Sequence, residues 1–220
     1  MATDAELVEA WRAGQKRAGK LLFERHFEAV DRFFQSKVGP DAPDLVQKTF
    51  LGCVESIDKY RGEGSFRSWL FAVAYRQLCR HYRSRARDRL HFDAGTSAVR
   101  DLEPTPSGVL ARRREERLLL EALRGIPLEL QVALELHYWE HMSDREVALA
   151  LGVAHGTMKS RLRRGRKLLA ERLETMNVGD VLLESTSTDL EAWARDLREI
   201  ALAAAQGGPQ GDSEDDSSGA

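Results

Sequence analysis

The sequence predicts an all-α protein in which two small helical domains are joined by a flexible linker. Apolar residues recur with a helical period nearly everywhere, and there is no convincing run of alternating apolar and polar residues of the kind a strand shows. The 220 residues leave room for two such domains, and the 42% hydrophobic content suffices for modest cores. Residues 93–108 lose all periodicity and collect Gly, Ser, Thr and two prolines, which is typical of a linker.

Four helices are predicted before the linker. Each is delimited by local signals such as the capping box of Thr3 and Glu6 or the Gly39-Pro40 break. The predicted helices run, in order, from Thr3 to Gly14, from Lys20 to Val38, from Asp44 to Ile57, and from Phe66 into the arginine-rich sequence RHYRSRARDR.

The predicted third helix has a buried stripe and an opposite polar face. The stripe consists of Leu45, Val46, Thr49, Phe50, Cys53, Val54 and Ile57. The polar face holds Asp44, Gln47, Lys48 and Glu55, with Leu51 exposed among them. An apolar side chain on a polar face indicates a protein–protein surface, although single exposed leucines are also common.

A glycine-rich loop with an aromatic residue at each end, Tyr60 to Phe66, precedes the fourth helix. That helix then places Trp69, Phe71, Tyr75 and Tyr82 among arginines. Aromatic rings among cations can stack on unpaired bases, but core packing gives the same pattern and is expected for most of these rings. The two glycines form neither a phosphate loop nor a complete dinucleotide motif, so a nucleotide site is excluded.

A second helical group is predicted for residues 109–173, with breaks at Gly125-Ile126-Pro127, Met142-Ser143 and Gly152. Its segment 143–173 has the pattern of a helix-turn-helix. A capping box of Ser143 and Glu146 starts the first helix, Gly152 ends it, and the second helix begins around His155.

The second helix of this motif divides into an apolar face and a basic face. Its apolar stripe is Met158, Leu162, Gly165 and Leu169, and Ser160, Arg163, Arg164 and Lys167 point the opposite way. Residues 155–172 contain seven bases and one acid, and residues 76–90 six bases and one acid, although the whole chain has a formal net charge of −2. A solvated surface helix normally interleaves acids with its bases, so we infer DNA binding through the major groove.

Several classes of protein are excluded or disfavoured. No stretch approaches the ~18 apolar residues of a membrane span, so membrane insertion is not expected. The polar N-terminal residues lack a signal-peptide pattern, so the cytoplasm is the expected location. Cys53 and Cys79 form no disulfide framework and no ligand-like spacing. His137 and His141 lie one turn apart but form no HExxH motif, so no metal and no cofactor are expected.

Residues 174–220 differ in character from the helix-turn-helix segment. Thr188 and Glu191 form a capping box before an amphipathic helix, and the last 15 residues carry four acids and no base and are expected to be disordered. The extension can fold back as an inhibitor or docking surface, or it can be a disordered appendage, and the sequence does not decide between these roles.

The chain resembles bacterial sigma factors of the sigma-70 family, specifically the small two-domain extracytoplasmic-function (ECF) group. The resemblance covers roughly residues 4–173 and rests on DLVQKTF, YRGEGSFRSWLFAVAYR and IPLELQVALELHYWEHMSDREVALALGVAHGTMKSRLRRGRKLL, in this order. It implies that residues 1–92 are sigma region 2, which binds core polymerase and opens the minus-ten element. It further implies that residues 109–173 are sigma region 4, which reads the minus-thirty-five element upstream, and that the factor has no catalytic chemistry of its own.

The resemblance also implies three sets of contacts. The contacts to the clamp helices of the β′ subunit of RNA polymerase core are Asp44, Gln47, Lys48 and Leu51. The minus-ten contacts are Tyr60, Arg61, Phe66, Trp69, Arg76, Arg80 and Arg83. The upstream-element contacts are His155, Thr157, Lys159, Ser160, Arg163, Arg164 and Lys167. Further partners that it implies are the β flap of the polymerase and an anti-sigma factor.

The chain departs from the family pattern at three places. Tyr75-Arg76 stands where the family has Arg-Asn, so an amide that donates and accepts is replaced by a guanidinium that only donates. This leaves the minus-ten base preference open. His137 and His141 stand where the family more often has Arg and Gly, and residues 174–220 extend beyond the typical end.

Two other functions are weighed against this one. A helix-turn-helix transcriptional regulator that acts without core polymerase would have the same recognition helix, with residues 1–92 as a sensor or dimerisation module. It would require neither DLVQKTF nor the arginine helix with its tryptophan, which therefore favour the sigma factor. An enzyme that acts on nucleic acid has little support, because we find no metal-carboxylate cluster, nucleophile–base pair or phosphate loop.

Overall fold

The computed structural model describes residues 1–92 and 114–176, which contain α-helices and no strand. The helices are α1 (Asp4–Arg12), α2 (Lys16–Val38), α3 (Ala42–Ser56), α4 (Phe66–Phe92), α5 (Arg114–Arg124), α6 (Leu128–Leu134), α7 (Asp144–Leu151) and α8 (His155–Thr175). A 3-10 turn lies on each side of α3, at Gly39–Asp41 and Ile57–Lys59, and a π-helical turn, Glu135–Trp139, continues α6. The all-α prediction is confirmed, whereas the predicted linker and most of the C-terminal extension lie outside the described residues.

Local capping signals place several helix ends where the sequence predicts them. The Thr3 and Ser143 side chains accept hydrogen bonds from the backbone N–H of Glu6 and Glu146, whose carboxylates in turn accept from the capping residues. Gly152 ends α7 with a φ of 67°, in the left-handed region that favours glycine. The three predicted breaks of the second helical group fall between the observed helices.

Helix α2 begins at Lys16, four residues before its predicted start. The extra turn is helical because Ala18 and Gly19 are buried against α1. A Cβ at Gly19 would lie 2.8 Å from Cε2 of the Trp11 ring, so only glycine allows this close contact. Helical periodicity does not predict such a contact, because the contact depends on the neighbouring helix.

The first lobe, formed by α1 to α4, is built around an aromatic core. Phe33 makes edge-to-face contacts with Phe34 and Phe71, at centroid distances of 5.1 and 5.6 Å, and all three rings are buried. Burial raises the pKa of the Cys53 thiol to about 12, so this cysteine is the inert core thiol that the sequence predicts.

A hydrogen bond between Asp4 and His26 joins α1 to α2, and its contribution to stability depends on pH. Nε2 of buried His26 lies 2.7 Å from Asp4 Oδ2, and burial lowers the pKa of His26, so its neutral ring donates this hydrogen bond. An unfolded histidine gains its proton near pH 6.5, so below this pH the unfolded chain binds more protons than the folded one.

We expect the free energy of unfolding by urea to fall as the pH drops below about 6.5, and to fall less in His26→Gln. Equal pH dependence in both chains would contradict this role for His26.

The second lobe, formed by α5 to α8, supports the helix-turn-helix. Met158, Leu162 and Leu169 of α8 are buried, as predicted. A Cβ at Gly165 would lie 3.3 Å from Leu134 Cδ1, which confirms that this glycine permits the close approach of α6. No helix of the described residues is long and apolar enough to cross a membrane.

The two lobes pack against each other. Helix α7 lies against α4, and the π-helical turn after α6 reaches the end of α2 through the Glu135 side chain. Buried apolar residues form one continuous core across both lobes. The sequence predicts two domains but does not predict this docking.

Candidate nucleic-acid interface and protein-binding face

The exposed side of α8 carries all the predicted upstream-element contacts. His155, Thr157, Lys159, Ser160, Arg163, Arg164 and Lys167 are exposed without exception. On a helical wheel, Lys159, Arg163 and Lys167 fall within a sector of about 80°, which faces away from the buried stripe. Lys167 forms an exposed pair with Glu171 at 3.6 Å, and such a pair is weak enough to yield to a phosphate.

A cationic groove runs beside this face, between α8 and the start of α6. Its lining residues are Glu129, Leu130, Ser160, Arg161, Arg163, Arg164 and Lys167. Four of these seven side chains are cationic and one is acidic, so the groove favours an anionic ligand such as the phosphate backbone of DNA. Arg161 is not among the predicted contacts; it is half-buried, and it lies on the side of α8 toward Tyr75 of the first lobe.

Hydrogen bonds inside the second lobe hold α8 and the turn before α7 in place. Arg166 Nη1 donates to the Tyr138 hydroxyl at 2.9 Å. His137 Nδ1 lies 3.0 Å from the Met142 carbonyl oxygen, to which its N–H donates. Among the described residues, no group of three or more His, Cys, Asp or Glu side chains is placed to hold a metal ion.

The loop from Tyr60 to Phe66 folds back against the start of α4. The Tyr60 hydroxyl donates to the Gly64 carbonyl at 2.8 Å, and its ring centroid lies 5.3 Å from that of Trp69. Gly62 and Gly64 have φ values of 72° and 119°, which L side chains rarely adopt. The two glycines therefore allow the backbone turns that bring the loop back onto α4.

One face of α4 brings together four of the predicted minus-ten contacts. Trp69, Arg76, Arg80 and Arg83 fall within a sector of about 60° on the helical wheel. The three arginines are exposed and Trp69 is half-buried. Arg61, in the loop before this helix, is also exposed. This surface offers cations beside aromatic rings, the combination that binds single-stranded nucleic acid.

Phe66 does not fit the predicted direct contact with DNA. It is only 2% exposed, and its ring lies 6.4 Å from Tyr60 and 5.7 Å from Trp69 between centroids. The aromatic loop ends pack against each other, so Phe66 supports the other two rings instead of being available for stacking.

Three further aromatic residues of α4, Phe71, Tyr75 and Tyr82, lie in the core or at the contact between the lobes. Phe71 is fully buried, and the Tyr82 hydroxyl donates to the Lys37 carbonyl at 2.9 Å. Burial raises the pKa of Tyr75 to about 12, and Arg161 and Glu129 of the second lobe lie near its hydroxyl. Of the rings for which core packing is expected, Phe71 alone is buried, and Trp69, Tyr75 and Tyr82 are half-buried against the core.

A separate apolar patch lies on the exposed sides of α2 and α3. Leu51 is 54% exposed, and Phe27 and Val54 are each 50% exposed. The Phe27 ring stacks on half-buried Phe50 at 6.1 Å with an interplanar angle of 9°. The remaining predicted polymerase contacts, Asp44, Gln47 and Lys48, are exposed on α3 beside this patch. We refer to Phe27, Leu51 and Val54 as the apolar patch.

The prediction that Val54 belongs to the buried stripe of α3 is wrong. The buried sector runs from Leu45 to Ile57, and at 100° per residue Val54 lies about 60° beyond Ile57, close to exposed Gln47. The predicted stripe of seven residues was wider than the space that α2 and α4 cover. Val54 and Phe27 therefore extend the exposed surface that Leu51 alone indicated.

Comparisons with known proteins identify both halves of this arrangement. The family model described as Sigma-70 region 2 matches residues 22–88, and the model described as Sigma-70, region 4 matches residues 116–169. The chain is 28% identical over 185 residues to the ECF RNA polymerase sigma-E factor of Haemophilus influenzae, covering 79% of this chain and 97% of that protein. It is 26% identical over 186 residues to the RNA polymerase sigma-H factor of Pseudomonas aeruginosa, covering 79% and 95% respectively.

Solved structures share the fold. A complex of the sigma factor RpoE with the anti-sigma factor NepR from Bartonella quintana matches with a TM-score of 0.57 at 24% identity, covering 70% of this chain and 96% of that chain. A complex of CnrH with the cytosolic domain of CnrY matches with a TM-score of 0.58 at 24% identity, covering 78% and 97%.

Proposed function

The chain belongs to the ECF group of the sigma-70 family and is a transcription initiation factor that directs RNA polymerase to promoters, and we propose how its two lobes divide this work. Residues 1–92 act as region 2, residues 109–173 as region 4, and residues 93–108 as the linker between them. The polymerase carries out the synthesis, and this chain contributes no catalytic group. We place its action in the cytoplasm.

The second lobe reads the upstream element with α8. The observation that carries this proposal is the division of α8 into two faces. Its apolar stripe is buried, and all seven side chains predicted to contact DNA are exposed. Lys159 and Lys167 are suited to phosphates, and the forked guanidiniums of Arg163 and Arg164 are suited to base edges in the major groove.

Replacing Arg164 by alanine tests the base-reading role. We expect the binding free energy of the holoenzyme for its promoter to weaken by about 1–3 kcal/mol, or roughly 5- to 150-fold in affinity, with a relaxed preference at one upstream base pair. The measurement is transcription with core enzyme on templates that vary each upstream base pair. Arg17→Ala, an exposed arginine of α2 outside both surfaces, is the control for lost charge. An unchanged base preference in Arg164→Ala would contradict the proposal.

The first lobe holds the separated strand of the minus-ten element. Arg76, Arg80 and Arg83 would follow its backbone, while Tyr60 and Trp69 offer rings at the end of the same face. Arg61, in the loop before α4, would also contact the backbone of this DNA strand. Arg76 stands where the family has an asparagine, so we expect a base preference at this point that differs from the family's usual one.

The polymerase contact lies on α3 and the neighbouring part of α2. We propose that it is formed by Asp44, Gln47, Lys48 and Leu51 together with Phe27 and Val54, and the exposure of these two apolar side chains supports including them. The β flap of the polymerase is the proposed partner of the second lobe. By analogy with the two solved complexes, an anti-sigma factor is a further proposed partner.

A reconstituted transcription assay tests the function as a whole. Adding the chain to sigma-free core should produce initiation at specific start sites of its own genome, which sequencing of transcript ends would map. A helix-turn-helix regulator that works alone would bind duplex promoter DNA without core. Specific binding without core, together with a failure to initiate with it, would overturn the sigma-factor mechanism.

A further inference from the structure

A series of side-chain contacts leads from the first turn of α1 to the loop proposed for the separated strand. His26 Nε2 donates to Asp4 Oδ2 at 2.7 Å, and the His26 ring lies 5.6 Å from the Phe66 ring between centroids. Phe66 in turn contacts Tyr60 and Trp69, the two rings proposed to stack on bases. We refer to Tyr60, Phe66 and Trp69 as the ring cluster.

The His26 ring has little freedom to change its orientation. Its side chain is 10% exposed, and its N–H is bound to Asp4. The Asp4 carboxylate also pairs with the Arg25 guanidinium, which donates to the Ala2 carbonyl at 2.9 Å. A side chain whose orientation is fixed by packing and by a supported hydrogen bond holds its neighbour in a defined place. The start of α1 therefore fixes the surface that His26 presents to Phe66.

Phe66 cannot move away from this contact, because its backbone and its ring are both held. It is the first residue of α4, whose first turn is closed by the Ser65 hydroxyl, which accepts from the Ser68 N–H at 3.2 Å. Its ring is 2% exposed. Burial raises the pKa of the Tyr60 hydroxyl and the charge of Asp4 raises it further, so this carboxylate also lies near the ring cluster.

We infer that His26, held by Asp4, is a positioning residue for capture of the separated strand. As a buried residue it acts through Phe66, whose place determines how Tyr60 and Trp69 present their faces. Rings that are ordered before the strand arrives lose less conformational entropy on binding than mobile rings do. The inference rests on the proposed function of the loop. The expected defect on breaking these contacts is confined to the minus-ten strand.

Two variants break the series of contacts at different places, and a third restores it. Asp4→Ala removes the acceptor for the His26 N–H, whereas His26→Gln keeps a donor for Asp4 and removes the ring from Phe66. Asp4→Asn keeps an oxygen acceptor and loses only the charge, so it should behave like the wild type. Glu9→Ala, an exposed acid on the same helix, is the control for lost charge. His26→Gln carries the test should Asp4→Ala fail to fold.

The first measurement is made on the free chain by fluorine NMR. The four tryptophans are replaced by fluorotryptophan, and the Trp69 resonance is assigned by its absence in Trp69→Phe. We expect this resonance to shift or broaden in Asp4→Ala and His26→Gln, and to keep its wild-type position in Asp4→Asn and Glu9→Ala. The resonance of Trp139, in the second lobe, is the reference for the overall fold.

The second measurement is the affinity of the holoenzyme for a forked promoter DNA whose minus-ten segment is single-stranded. The promoter is taken from the start sites mapped with the wild-type chain. We expect Asp4→Ala and His26→Gln to weaken this binding at least about fivefold, the lower end of what one stack of a base on an aromatic ring contributes. Affinity for core and for the upstream duplex should not change.

Several results would overturn the inference. These are an unmoved Trp69 resonance in both folded variants, an Asp4→Asn chain as defective as Asp4→Ala, and equal losses in the binding of fork, core and duplex. Another is a moved resonance with unchanged fork affinity, while Trp69→Ala does weaken that affinity. An unchanged fork affinity in Trp69→Ala would instead overturn the proposed strand site, because the fluorine resonance is measured without DNA or polymerase.

Discussion

A chain that carries Leu51→Asp and Val54→Asp should lose nearly all core-dependent initiation while its fold is preserved. Both side chains are about half exposed, so neither substitution removes much of the core. A partner that covers the apolar patch would have to desolvate two carboxylates. A carboxylate that is buried without a partner costs about 2 kcal/mol or more, so we expect the two of them to lower the affinity for core by about a thousandfold. Two measurements are needed: the affinity of each chain for core, and the free energy of unfolding of the free chain in urea.

The control for this double variant is Arg17→Asp, which introduces a carboxylate at an exposed position of α2 outside the proposed contact. It should bind core like the wild type if the loss comes from the apolar patch and not from added negative charge. Normal binding of the double variant to core would contradict the assignment. Equal losses in binding and in free energy of unfolding would indicate a structural effect instead.

The exposure of Leu51 could be predicted from the sequence, whereas that of Phe27 and Val54 could not. Leu51 lies among polar residues on the wheel of α3, so periodicity alone exposes it. Phe27 lies in the same sector of α2 as buried Phe34, about 20° away. The two phenylalanines differ only in which neighbouring helix covers each turn, and this is a property of the packing.

The exposed face of α8, in contrast, could be predicted from the sequence. The exposure of all seven side chains proposed to contact DNA could be predicted, because the four apolar stripe residues of α8 recur at helical spacing and its bases occupy the rest of the surface. The lobe contact could not be predicted, since Lys37 and Glu135 are 98 residues apart and each looks like an ordinary surface charge. Burying a lysine requires a partner from elsewhere in the fold, and local patterns do not specify such a partner.

Phe34→Ala should destabilise the chain by about 3–5 kcal/mol, the usual cost of removing a fully buried phenylalanine. Its ring is 0% exposed and packs edge-to-face on Phe33, which in turn packs on Phe71. The substitution removes the ring at one end of this cluster, and the surrounding helices can close the cavity only in part. The measurement is the free energy of unfolding by urea, monitored by far-UV circular dichroism.

Phe27→Ala is the matched control, because it makes the same change on the same helix seven residues away. Its ring is half exposed and stacks on Phe50 alone on that side, so its removal should cost less than about 1 kcal/mol of folding stability, as for most exposed positions. The same change should weaken binding to core by about 2 kcal/mol or more, the scale of an interface anchor. The two alanine variants should thus separate folding from polymerase binding, and comparable unfolding free energies for both would refute the placement of Phe34 in the core and Phe27 on the polymerase face.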